Sequence, residues 1–254
     1  MNAQPSDNVT HTDDRTRRPP PQRPPYLRIV DTESADAGTT VSEARLRRAL
    51  NLSVAILAIL LTFPLWVIIA ILVRLTSRGP VILSQVRVGL DSRVSNPGAN
   101  DPRRRHDIGG CPFTMYKFRT MYVAAEKTSG PVWATANDPR VTAVGRVLRQ
   151  YRLDELPQLI NVLTGDMNIV GPRPERPTIF ASLSESVPNY RLRQRARPGI
   201  TGLAQIRQQY DSCLEDVKRK VEFDLEYIRR PSFWNDARIM LETIPVILLR
   251  RGGW

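Results

Sequence analysis

The chain has 254 residues, 41% of them hydrophobic, and a formal net charge of +12. That allows one sizeable packed domain or two small ones, and it suits anionic partners such as phosphates, nucleic acid or an acidic membrane surface. Two cysteines (Cys111, Cys213) and two histidines (His11, His106) exclude a disulfide framework and leave too few ligands and bases for a zinc enzyme or a Cys/His hydrolase, so a reducing compartment is the natural reading.

Residues 1–44 are rich in Pro, Asp, Thr, Ser and Arg and have no apolar periodicity, which predicts a disordered, partly polyproline tail. From Ala49 to Val73 there follow twenty-five residues without a charge, long enough for a membrane helix. The run starts too late for a secretory signal and has no small-residue cleavage site after it. Pro64 interrupts it and predicts a kink. The arms on either side would be about 22 Å and 13 Å long, each short of a hydrocarbon core of about 30 Å. Arg45, Arg47 and Arg48 flank one end and Arg74 and Arg78 the other, which favours the cytoplasmic side for both. A single-span anchor and a helix that dips in and returns to the same face both stand on these residues, and the charge and the proline favour the second.

Beyond the membrane run, Val81–Leu83 and Phe113–Phe118 predict strands or extended segments, and residues 91–110 predict a long polar surface loop. Asp154 is placed as a helix N-cap, with Glu155 and Pro157 in the first turn. Leu156, Leu159, Ile160 and Leu163 then form an apolar face that stops at Gly165. A second helix is predicted over Leu214–Ile228. The apolar stretch Ala237–Arg250 suits either a core helix or one lying in the membrane interface.

Asp154 and Glu155 stand among Arg140, Arg146, Arg149 and Arg152 upstream and Arg173 and Arg176 downstream. Guanidinium forks bind phosphate oxygens, and hard carboxylate oxygens suit magnesium, so the cluster has the composition of a phosphate-and-metal site. An acidic pair at a helix start is by itself as well explained by capping and by the helix dipole.

Four further stretches decide between these readings. They are Ser77-Arg-Gly-Pro-Val-Ile-Leu-Ser-Gln-Val-Arg-Val-Gly89, Tyr116-Lys-Phe-Arg-Thr-Met121, the block from Asp138 through LDELPQLINVLTGDMNIVGPRPE to Glu175, and Arg197-Pro-Gly-Ile-Thr-Gly202. In this order, over roughly residues 45–250, the sequence resembles the bacterial sugar transferases, the monotopic polyprenyl-phosphate phosphoglycosyl transferases. The resemblance implies an α/β, mostly helical, compact cytoplasmic domain over residues 77–254 at the bacterial inner membrane, behind a re-entrant membrane helix over residues 45–76 kinked at Pro64. It implies that Asp154 attacks the sugar-linked phosphorus of a UDP-sugar, that UMP leaves, and that a polyprenyl phosphate then takes the sugar phosphate. Glu155 would share a Mg²⁺ ion with Asp154, Arg149 and Arg173 would bind phosphate, and Lys117 and Arg119 would serve a phosphate or a lipid headgroup. Pro198, Gly199 and Gly202 would shape the nucleotide end.

The chain departs from the family pattern at Phe63, where serine is usual, at Asn51, where aspartate is frequent, at Arg152, where a small hydroxyl residue is common, and in the 91–110 loop, which reads as an insertion. A membrane-tethered nucleic-acid binder lacks any reading motif or stacking aromatics in this sequence, so no nucleic-acid partner is expected. A membrane scaffold gives no reason for the acidic pair. A metal-dependent pyrophosphate hydrolase is the competing enzyme.

Overall fold

The uncharged run folds as a single helix, α1 (Val41–Thr76), with Pro64 inside it. It begins four residues earlier than the boundary expected at residue 45. The computed structural model describes residues 41–91, 109–123, 138–208 and 213–249; the tail up to residue 40 and loop residues 92–108 lie outside these. Pro64 has no N–H for the carbonyl of Leu60, one turn back. The same stretch is braced by side chains: Thr62 Oγ1 donates to the carbonyl of Ala58 (2.6 Å) and Trp66 Nε1 donates to Thr62 Oγ1 (3.1 Å).

Helix α1 is long and apolar enough to cross a bilayer, and only 11% of its most apolar window is buried. The buried positions, Asn51, Ala55, Ile69 and Val73, fall at helical spacing and form one stripe that is filled in by the half-buried Ala58, Ile59, Thr62, Leu65 and Trp66. The opposite face, including Leu57, Leu60, Leu61, Phe63, Ile68 and Ile71, is exposed. One face of α1 therefore packs on the protein from Asn51 to Val73.

Strands β1 (Ile82–Val88) and β2 (Pro112–Phe118) pair antiparallel, with Gln85 opposite Met115. Helix α2 (Ala143–Gln150) is capped by Thr142, whose hydroxyl accepts from Gly145 N. A 3-10 turn (Leu153–Glu155) leads into α3 (Gln158–Thr164), and Gly165 ends α3 in the left-handed region at φ 89°. Next come β3 (Asn168–Val170), α4 (Pro177–Ser186), a 3-10 stretch (Tyr190–Arg195) and β4 (Gly199–Thr201), which pairs parallel with β3. Short α5 (Leu203–Arg207), α6 (Leu214–Arg229) and α7 (Phe233–Leu248) complete the described fold. It is mostly helical, with two small two-stranded sheets.

The main core joins Ala55 of α1, Phe113 and Met115 of β2, Leu159 and Val162 of α3, β3, and the predicted apolar face of α6, Val217, Val221, Leu225 and Ile228. A smaller cluster sets Ile69 and Val73 of α1 against Phe118 and Leu148, with Trp66 edge-on to Phe118 at 5.7 Å.

Polar bonds fix both ends of α1. Near its start, Arg47 donates to Asp236 (2.9 Å) and to the Tyr227 hydroxyl (2.8 Å), and Tyr227 donates on to the carbonyl of Val170 (3.1 Å). Arg48 donates to the carbonyls of Val162 and Leu163, where α3 ends. Asn51 donates to the carbonyl of Arg47 and accepts from Ile169 N at 2.6 Å. At the other end, the Arg119 guanidinium donates to the carbonyls of Ser77 (2.6 Å), Arg78 (3.2 Å) and Val73 (3.4 Å), placing a cation on the negative end of the helix dipole.

Replacing Asn51 with Leu leaves the buried Ile169 N–H without an acceptor. Thermal or denaturant unfolding of the detergent-solubilised protein should show a loss of about 1–3 kcal/mol, and an unchanged midpoint would contradict the role given to Asn51.

Candidate functional site

Asp154 and Glu155 lie inside the 3-10 turn, both buried. This corrects the expectation that Asp154 caps a helix. The capping position belongs to Arg152, whose side chain makes no cap hydrogen bond, and α3 starts only after Pro157. Arg152 adopts φ 58°, a left-handed conformation that is uncommon for residues other than glycine. It turns the chain sharply out of α2, so the two carboxylates project from a tight turn rather than from a helix barrel.

The carboxylates have different surroundings. Glu155 Oε1 meets Arg173 Nη2 at 2.6 Å, Lys117 Nζ at 3.2 Å and Arg152 Nη1 at 3.4 Å, and Arg173 Nη1 reaches Oε2 at 3.3 Å. Burial alone would raise its pKa, but Arg173, Lys117 and Arg152 together hold it well below the ordinary glutamate range. Asp154 has a cation only at the edge of contact, Lys117 Nζ at 4.0 Å. Burial pushes its pKa up, and the charge of Glu155 adds to the rise against the pull of Lys117, Arg152 and Arg149. Burial lowers the pKa of Lys117, with Glu155 opposing the shift. The turn therefore pairs one carboxylate locked in its ionised form with one that is under-compensated.

The loop carrying Arg173 is held from three sides. Arg193, 1% exposed, donates to the carbonyl of Arg173 (3.0 Å), to Asp224 (2.6 Å) and to the Tyr190 hydroxyl (2.9 Å). Arg87 donates to the carbonyl of Pro174, and Val88 N to that of Glu175. Lys220 pairs with the Glu175 carboxylate at 3.2 Å. Sequence reasoning missed Arg87, Arg193 and Asp224. Asp224 did leave a signal, since it stands between Val221 and Ile228 on the apolar face of α6, where an acid needs a buried partner.

Of the residues expected at the site, Lys117 and Arg173 meet Glu155. Arg149 donates to the Thr120 hydroxyl (2.9 Å) and is near enough to lower the pKa of Asp154. Its helix α2 is seated by Asp138, which Arg140 clamps at 2.6 Å and holds at a pKa of about 2. Arg119 is not brought to the carboxylates, because its guanidinium is committed to the end of α1.

Gly199 and Gly202 pack closely on the backbone of another loop. A Cβ on Gly199 would stand 2.1 Å from Gly171 N, and one on Gly202 would stand 2.3 Å from Gly171 O. The Pro198–Gly202 segment thus locks the backbone of the loop that carries Arg173. Ile200 and Thr201 of that motif line a cavity of about 310 Å³ that also touches Glu155.

As a metal donor set the pair is uneven. Glu155 has both oxygens taken by cations, so it does not fit the ligand role expected of it. Asp154 fits as a hard oxygen donor. Among the described residues no cluster of three acidic, histidine or cysteine side chains could hold a metal by itself, so a magnesium ion at Asp154 would need further oxygen ligands from outside the protein.

Two substitutions should separate the carboxylates. An acid whose pKa is raised on folding loses stabilisation as pH climbs from its unfolded value to its folded one. Asp154→Asn should therefore melt no lower than the parent near pH 7.5. The depressed pKa of Glu155 has the opposite sign, with its stabilisation present above the unfolded value. Glu155→Gln should then cost about 2–3 kcal/mol by leaving Arg173 and Lys117 uncompensated. Equal melting temperatures for the two variants would contradict the assignment.

Comparisons with known proteins give the chain its family. The chain is 44% identical over 202 residues to the UDP-glucose:undecaprenyl-phosphate glucose-1-phosphate transferase of Escherichia coli K12, covering 78% of this chain and 39% of that protein. It is 39% identical to the UDP-N-acetylgalactosamine-undecaprenyl-phosphate N-acetylgalactosaminephosphotransferase of Aeromonas hydrophila, covering 83% and 45%. It is 34% identical to the exopolysaccharide production protein PSS of Rhizobium leguminosarum bv. phaseoli, covering 82% and 98%. The chain thus spans less than half the length of the first two relatives. Residues 42–250, most of the chain, match the bacterial sugar transferase family, and the chain belongs to that family.

Proposed function

We propose that the protein transfers a sugar-1-phosphate from a UDP-sugar to a polyprenyl phosphate and releases UMP, the first step in building a lipid-linked glycan. The observation that carries this reading is the asymmetry of the dyad: a buried, under-compensated Asp154 beside a Glu155 saturated by cations. A carboxylate short of counter-charge is a reactive nucleophile, and the cations held by its neighbour lie where a diphosphate needs them. The names of the relatives supply the substrates, UDP-sugars and undecaprenyl phosphate.

In the proposed reaction an Asp154 carboxylate oxygen attacks the sugar-linked phosphorus. The bond from that phosphorus to the bridging oxygen breaks, and UMP departs with the bond's electron pair. An oxygen of the lipid phosphate then attacks the same phosphorus, breaking its bond to Asp154 and restoring the free carboxylate. Lys117, Arg149 and Arg173 offset the charge of the phosphates as they approach. Glu155 orders Lys117 and Arg173 around the reacting phosphorus. Mg²⁺ would be held by Asp154 together with donor phosphate oxygens, and when bound it neutralises charge on the diphosphate.

The same reading seats the protein on one face of the bacterial inner membrane, with α1 dipping into the bilayer and returning at Pro64. In support, one face of α1 contacts the protein from Asn51 to Val73, as a helix with both ends on one globular body would. Arginines lie at both ends.

Asp154→Asn should cut UMP release from UDP-glucose or UDP-N-acetylgalactosamine, in the presence of polyprenyl phosphate and Mg²⁺, by at least about a thousandfold, with the protein still in the membrane fraction. UMP release that survives the substitution removes the nucleophile. Asp154 reacts ionised, so activity should rise with pH along an acidic limb that lies above the ordinary aspartate value of about 3.9. Lys117→Met removes a cation that lowers the pKa of Asp154, and should move the limb to higher pH. A shift to lower pH would contradict the proposed electrostatics.

A further inference from the structure

The cavity of about 310 Å³ beside Glu155 has no role in the chemistry above. Its walls come from Ala58 on α1, from Leu156 and Leu159 beyond the dyad, from Ile206 on α5, and from Val246 and Ile247 on α7. Both outer helices turn apolar surface outward next to it. On α1, Leu57 and Leu61 flank Ala58 and are 57% and 73% exposed. On α7, Ile244 and Leu248 flank the lining residues and are 52% and 72% exposed. The cavity thus connects the exposed apolar faces of α1 and α7 with the acidic dyad.

Several polar side chains on its wall are already engaged within the protein. The Thr201 and Thr243 hydroxyls bond each other at 2.8 Å, and Thr243 also donates to the carbonyl of Ile239. Gln205 gives its amide N–H to the carbonyl of Ile200, while its buried Oε1 has no partner. A sugar or a nucleobase needs several unengaged donors and acceptors to be held in place, and of these three side chains only Gln205 offers one, its Oε1. The wall suits a hydrocarbon. On the scale of an apolar cavity of about 150 Å³ that admits one benzene, this one has room for about ten carbons, or two isoprene units.

Resting on the reading of the protein as a polyprenyl-phosphate transferase, we infer that this cavity receives the first two isoprene units of the lipid acceptor, entering between α1 and α7, and so carries the lipid phosphate to the dyad. Arg152, on the cavity wall and bonded to Glu155, stands where the hydrocarbon gives way to the phosphate. The rest of the chain stays in the bilayer along the exposed faces of the two helices. Recognition then lies in the ten carbons next to the phosphate, and the cavity is indifferent to total chain length.

Two measurements on the full-length protein in nanodiscs test this. The first needs no turnover: geranyl phosphate bearing a diazirine on its second isoprene unit is photolysed with the protein, and the adducts are mapped by mass spectrometry. Adducts on Ile206, Val246 or Ile247 that unlabelled geranyl phosphate suppresses and UDP does not are the expected result. Adducts confined to the outer faces of α1 and α7, or suppressed by UDP, overturn the proposal. The second measurement fills the cavity with Ile206→Trp and, separately, Val246→Phe, each checked by its melting temperature. The KM for polyprenyl phosphate should rise roughly tenfold or more, while single-turnover UMP release without lipid stays within about twofold. A parallel loss with UDP-sugar, or no change in either folded variant, rejects the lipid as occupant. If no UDP-sugar yields UMP, the transferase reading fails, and the photolabelling still decides what the cavity takes.

Discussion

The Arg173–Glu155 contact at 2.6 Å is the interaction on which the site depends. It joins a turn that follows α2 to a loop that follows β3, and it fixes the charge state of the whole cluster. With Glu155 ionised and enclosed by Arg173, Lys117 and Arg152, the cations are ordered without any ligand, as the proposed phosphate chemistry would need. Much of the reorganisation that a polar solvent would require is therefore built into the fold. Asp154 gains its character from the same contact, since the cations engaged by Glu155 are only partly available to it.

A contact between two loops is only as rigid as their supports. The loop from Gly171 to Glu175 has its carbonyls taken by Arg193, Arg87 and Val88 N, and its backbone is pressed against Gly199 and Gly202. The buried Arg193–Asp224 pair is costly to desolvate, and its position on the Arg173 carbonyl gives that cost a structural purpose. The glycine-rich motif near residue 200 reaches the chemistry through this backbone lock.

Much of the architecture was legible in the sequence for local reasons. The α6 stripe, the stop at Gly165 and the strand around Phe113–Phe118 follow from periodicity and from single residues with one preferred conformation. Asp154 and Glu155 were legible as a pair because of the arginines near them in sequence. Other features depend on contacts between distant segments. Nothing local distinguishes Arg119, which ends α1, from Lys117 two residues earlier, which faces the dyad from β2. Nor does the run of arginines at residues 191–197 indicate that Arg193 is the buried one. Asp154 was misread as a cap because the left-handed turn at Arg152 is not a conformation that arginine advertises.

The bonds at the start of α1 bear on what the membrane helix is. Asp236 is 0% exposed and takes its charge partner, Arg47, from α1. The carbonyls that end α3 and the N–H of Ile169 are answered by Arg48 and Asn51 of the same helix. Trimming the helix away to obtain a water-soluble enzyme would strip a buried acid of its cation and open a polar gap beside β3, two residues from the loop that carries Arg173. Helix α1 is an integral wall of the domain that carries the acidic pair and cannot be detached from it.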